Sequence, residues 1–174
     1  MRPRLYLLIG PKGSGKTYIG RLLEERLGIP FLRVEALALE VRRGRPVTDP
    51  GYAAEVFGAI EAAVRSRLAA HPELVVESVG LGEAFDGMLE ALRRDAEAVL
   101  IRVAADPARS LARVRTREGR EHVDVSDGQV EALNAAVLAR THPFAGTLEN
   151  DDATPASLLA AFAAIRESGL RPAE

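Results

Sequence analysis

Residues Gly10, Pro11, Lys12, Gly13, Ser14, Gly15, Lys16 and Thr17 fit the pattern G-x-x-x-x-G-K-[ST], a loop that cradles phosphate. Before it stands Leu5-Tyr6-Leu7-Leu8-Ile9, a short apolar run of the kind that forms a strand buried on both faces. After it, Ser14 to Leu27 places Tyr18, Ile19, Leu22, Leu23 and Leu27 at helical spacing. Strand, glycine loop and helix in that order separate a working phosphate loop from a chance match. They also commit the chain to an α/β fold with a parallel sheet. Lys12 and Lys16 are the only 2 lysines of the chain, and every other basic side chain is arginine. A lysine kept at this place points to a need for a compact ammonium that a planar guanidinium does not meet.

Each residue of the loop acquires an expected part. Gly10, Gly13 and Gly15 allow positive φ and close backbone approach. Successive N–H groups, from Lys12 and Ser14 through to Tyr18 at the helix start, then surround a concavity at the positive end of a helix dipole. Lys16 is expected to reach the β- and γ-phosphates of a nucleoside triphosphate, and the Thr17 hydroxyl to join a Mg²⁺ shell. Lys12 occupies a variable position of the motif. It reads first as a solvated loop lysine and second as extra positive charge near the γ-phosphate.

Strand and helix signals alternate beyond the loop, the sequence form of a doubly wound sheet. Further strands are expected at Pro30–Val34, Leu74–Val79, Ala98–Val103 and Gly146–Asn150. Helices are expected at Glu35–Arg43, Tyr52–Ala70, Glu83–Asp95, from Pro107, from Ser126 to Arg140, and at Pro155–Ser168. The whole is a three-layer α/β/α fold around a five-stranded parallel sheet, with residues 1–174 as one domain. A net charge of −2 gives no reason to expect nucleic acid. No apolar run approaches the roughly 20 residues that span a bilayer, and the basic start runs directly into the first strand, so a cytoplasmic location is expected. With no cysteine and 3 dispersed histidines, thiolate chemistry and a histidine metal site are both set aside.

Ligands of such sheets bind beyond the carboxyl ends of the strands. Glu77 ends an apolar run there, beside the phosphate loop. It reads as the acid that holds Mg²⁺ or, alternatively, as an ordinary strand-end carboxylate. Glu35 reads either as the group that holds or deprotonates an acceptor hydroxyl or as a first-turn helix acid. Residues 109–120 carry 5 arginines and a glycine. They suggest a flap over about 113–125 whose arginines close on the transferring group. Arg113 and Arg117, four apart, are the expected pair on one helix face.

The stretch from Leu7 to Phe31 closely resembles the start of shikimate kinases. More widely, the chain is similar to the P-loop small-molecule kinases, a group that includes nucleoside monophosphate kinases, gluconate kinase and AAA-type kinases. The resemblance implies Mg²⁺-ATP-dependent phosphorylation of a hydroxyl or phosphate on a small acceptor. It also implies flap arginines, matched by Arg113 and Arg117, and an adenine-side loop, matched by Asn150-Asp151-Asp152. Departures bear on the acceptor. Arg33-Val34-Glu35 stands where shikimate kinases carry Asp-x-Asp, and Glu77-Ser78-Val79-Gly80-Leu81-Gly82 stands near their triple glycine. These departures point away from shikimate itself. Arg140, near the family's carboxylate-binding arginine, keeps an anionic acceptor open. A GTPase would need an Asn-Lys-x-Asp motif, which a chain with no lysine beyond the loop lacks. An AAA+ motor is set aside on chain length. The competing readings are a non-catalytic regulatory ATP-binding protein, a shikimate kinase proper and a nucleic-acid end kinase. A monomer or a homodimer is expected.

Overall fold

An apolar run without alternation needs cover on both faces. The computed structural model, which describes residues 2–44, 49, 51–116 and 126–168, supplies that cover. Strand β1 (Arg4–Ile9) leads through the glycine loop to α1 (Lys16–Leu27). Then follow β2 (Phe31–Leu32), α2 (Val34–Arg42), α3 (Tyr52–Ala70), β3 (Glu73–Ser78) and α4 (Glu83–Arg93). The order closes with β4 (Glu97–Ala104), α5 (Pro107–Arg115), α6 (Asp127–Ala139), β5 (Gly146–Glu149) and α7 (Pro155–Ser168). The sheet has 5 strands in the order β2-β3-β1-β4-β5, and all its pairings are parallel.

Alternate residues of β1 feed two cores. Leu5, Leu7 and Ile9 pack under α3 and α4 with Val56, Ile60, Phe85 and Leu92. Tyr6 and Leu8 pack under α1 and α7 with Ile19, Leu23, Leu158 and Phe162. Burial of each large apolar side chain is worth about 1.5–3 kcal/mol, so the two cores hold the central strand from opposite sides.

Helix ends follow local chemistry. Ser126 and Gln129 form a reciprocal capping box at the start of α6. Asp106 accepts from the Arg109 amide with Pro107 in the first turn of α5. One expectation shifts. The second strand is only 2 residues long, because Arg33 already serves as the extended N-cap of α2. Glu35 therefore sits in the first turn of α2, in the helix expected for it. The described part of α5 ends at Arg115, with Thr116 as its cap. Arg117 and the rest of the expected flap, 117–125, lie outside the described residues.

Candidate active site

The glycine loop is gripped from several elements. Gly13 has φ 83°, and a Cβ there would lie 2.0 Å from the Ser110 carbonyl oxygen of α5. Gly15 has φ 94°, and a Cβ there would lie 2.0 Å from Asn150 Nδ2. Neither position admits a side chain without moving what meets it, the Ser110 backbone at Gly13 and the Asn150 side chain at Gly15. From α6, Asn134 Oδ1 accepts from the Lys12 amide at 2.7 Å while Asn134 Nδ2 donates to the Lys12 carbonyl at 3.1 Å. From the end of β5, Asn150 Nδ2 donates to the Ser14 carbonyl at 2.8 Å. A loop held this way presents its amides already in position for an anion.

Lys16 Nζ donates to the carbonyls of Gly10 (2.7 Å) and Pro11 (2.8 Å), so its ammonium lies over the loop. A phosphate oxygen is a stronger acceptor than a neutral carbonyl and can draw it outward. One turn into α1, Thr17 Oγ1 donates to Glu77 Oε2 at 2.6 Å. The register of β1 with β3 makes this contact, since Leu8 pairs with Glu77 and Ile9 with Ser78. Glu77 is 6% exposed, and its Oε1 has no partner among the described residues. A buried carboxylate with an unused oxygen beside a threonine hydroxyl is a fitting donor set for Mg²⁺, which takes few protein ligands and completes its shell with phosphate and water. No group of three or more His, Cys, Asp or Glu suited to a metal occurs among the described residues.

Lys12 is not a solvated loop lysine. Its Nζ lies 3.1 Å from Glu35 Oε1, with both side chains largely covered. The pair joins the phosphate loop to α2 across the mouth of a cleft of about 440 Å³. Thr17, Glu77, Ser78, Lys16 and Glu35 all line this cleft, so the residues expected at the phosphates and the one expected at the acceptor share one space.

Other expected residues are placed differently. Arg113 donates to the carbonyls of Gly13 (3.3 Å) and Asn150 (3.1 Å), at the back of the loop and away from the cleft. The Asn150 side chain is buried under the loop, where it supports Ser14. Tyr18 is 48% exposed on the outside of α1. Arg109 and Arg115 are taken up by surface partners, Asp152 and Asp127. Arg140 bonds Asp86 of α4 at 2.5 Å and does not line the cleft. Sequence reasoning missed Asn134, and it gave the residues of α3 that wall the cleft no role.

Comparison with known proteins agrees with this geometry. Residues 6–101 match the model of the ATPase family associated with various cellular activities (AAA). The shikimate kinase of Symbiobacterium thermophilum is 42% identical over 51% of this chain and 51% of its own. That of Moorella thermoacetica is 31% identical over 82% of this chain and 80% of its own. The chain belongs to the P-loop small-molecule kinases, with the shikimate kinases among its relatives. The P-loop kinase match spans about half the length of the first of these relatives. A sugar kinase structure from Janibacter sp. aligns over 95% of both chains with a TM-score of 0.68 at 18% identity, a likeness of fold. Membership of the P-loop kinase family carries nucleotide use with it. Among the described residues, no helix is long and apolar enough to cross a membrane.

Proposed function

We propose that this chain is a Mg²⁺-ATP-dependent phosphotransferase of one domain, acting in the cytoplasm on a hydroxyl of a small acceptor. The observation that carries the reading is the Thr17–Glu77 contact beside Lys16, in the same cleft as Glu35. Phosphoryl transfer asks little covalent help of a protein; it needs positioning and neutralisation of charge. The loop amides and Lys16 bind the β- and γ-phosphates. Thr17 and Glu77 hold Mg²⁺, which when bound neutralises charge on the phosphate oxygens. Glu35 orients the acceptor hydroxyl and takes its proton. Lys12 keeps the Glu35 carboxylate turned toward the γ-phosphate position. Arg113 braces the loop, and Arg117 is assigned to the transferring group. Asn150 and Asp151 border the nucleotide's base.

The family relationship supports ATP as the donor, and the apolar body of the cleft supports a small-molecule acceptor over a nucleic-acid end. The test is ADP release from Mg-ATP with and without candidate acceptors. Acceptor-dependent release is the expected result. Tight Mg-ATP binding with no stimulation by any acceptor would instead favour a regulatory nucleotide-binding protein.

A further inference from the structure

The acceptor side of the cleft has a composition unlike its phosphate side. Its walls are Val34 and Ala38 of α2, Tyr52, Val56 and Phe57 of α3, and Val79 after β3. Tyr52 turns its hydroxyl away, donating to the Ala38 carbonyl at 2.8 Å, so the ring is what remains for a ligand. Phe57 is held edge-on against the buried Phe85, with centroids 6.2 Å apart. Among the described residues, the charged groups that line this space are Glu35 and Glu77, both acidic, and the two loop lysines. Lys12 is paired with Glu35, and Lys16 serves the loop carbonyls and the phosphate position. Arg140, which could have met a carboxylate, is paired with Asp86.

Among the described residues, an anionic acceptor would meet an apolar wall and charged groups already paired with one another or committed to the phosphate and metal, so its desolvation is not repaid. A neutral molecule with a ring-sized apolar body meets the opposite situation. Its body covers Tyr52, Val56 and Phe57, and one hydroxyl reaches Glu35. Few polar groups on a mostly apolar wall is the usual build of a small-molecule site. Resting on the phosphotransferase reading, we infer that the acceptor is a neutral, largely apolar alcohol, aromatic or alicyclic, and not a carboxylate, a polyol acid or a nucleotide. The alcohol oxygen forms a bond to the γ-phosphorus as the bond to the β-phosphate oxygen breaks. ADP leaves, and the hydroxyl proton passes to Glu35.

The experiment measures two quantities on the full chain. Mg-ATP binding is followed by titration calorimetry. ADP release is measured with benzyl alcohol, phenethyl alcohol and cyclohexylmethanol against shikimate, gluconate and AMP. The neutral alcohols should raise ADP release about tenfold or more over the acceptor-free rate, and the anions should not. Ala53→Glu adds a carboxylate at an exposed cleft-lining position in the first turn of α3, which the fold tolerates. It should weaken the alcohols' half-saturation by about tenfold and leave Mg-ATP affinity within about twofold. Preferential stimulation by the anions, or stimulation by neither set while Mg-ATP binds, overturns the neutral-acceptor class and leaves nucleotide binding standing. Alcohol stimulation that Ala53→Glu does not alter places the alcohols elsewhere and overturns this site. Absence of Mg-ATP binding overturns the phosphotransferase reading and this inference together.

Discussion

Lys16 and Glu77 divide the phosphate chemistry between a cation and a buried acid, and each can be removed singly. Lys16→Ala takes away an ammonium that donates to two loop carbonyls. The fold should survive, with an unchanged circular dichroism spectrum, while turnover falls to background. Normal turnover in that variant would refute its role at the phosphates. Glu77→Gln keeps the shape and the oxygen that accepts from Thr17 but removes the negative charge. The Mg²⁺ concentration needed for half-maximal ATP binding should rise about tenfold or more, the scale on which a metal site loses affinity when its partners change. An unaltered Mg²⁺ titration would return Glu77 to the status of a strand-end carboxylate.

At the scale of elements, α6 controls the phosphate loop from a distance. Asn134 lies 122 residues from Lys12 in sequence and exchanges two hydrogen bonds with its backbone. Asn134→Ala should cost on the order of 1–3 kcal/mol of stability and weaken nucleotide binding, since the loop is no longer preorganised. Amide hydrogen exchange at Lys12 and Gly13 should speed up in the variant; unchanged exchange there would deny α6 its bracing role. The strand–loop–helix unit was legible because strand, glycine loop and helix adjoin in sequence. Helices α3 and α7 were legible to the residue, punctuated by Gly51 and His71-Pro72 and by Thr154-Pro155. Strand β2 was overread because Phe31 and Leu32 are followed by Arg33, which caps a helix, and Val34, which already belongs to it. The Asn134 brace and the Lys12–Glu35 pair left no local signal, because long-range packing makes both. Tyr52 and Val56 fit a helix's core face, and periodicity does not reveal which core residues border a cavity.

Across the whole molecule, the two ends of the sheet carry different kinds of polar group. The carboxyl end holds the loop and the cleft. At the amino end, Tyr6 donates to Glu73 at 2.7 Å, Arg166 also bonds Glu73, and Arg4 pairs with Glu97 at 2.9 Å. Burial, followed by the bond to Glu73, pushes the Tyr6 hydroxyl from its ordinary 10.0 up to about 12. The folded state therefore holds that proton more tightly than the unfolded chain. This contribution is fully present below pH 10.0 and is lost as pH rises through about 12. Denaturation midpoints should fall over that interval, and Tyr6→Phe should flatten the fall. An identical alkaline slope in the variant would show that other groups set it.

The central claim is that phosphate moves from Mg-ATP to a bound acceptor and not simply to water. Phosphorus NMR of Mg-ATP incubated with the chain and a pooled set of alcohol acceptors reads this directly. The expected spectrum shows ADP together with a new phosphomonoester resonance, both absent with Lys16→Ala. ADP accompanied only by inorganic phosphate, or no consumption of ATP at all, would contradict the claim.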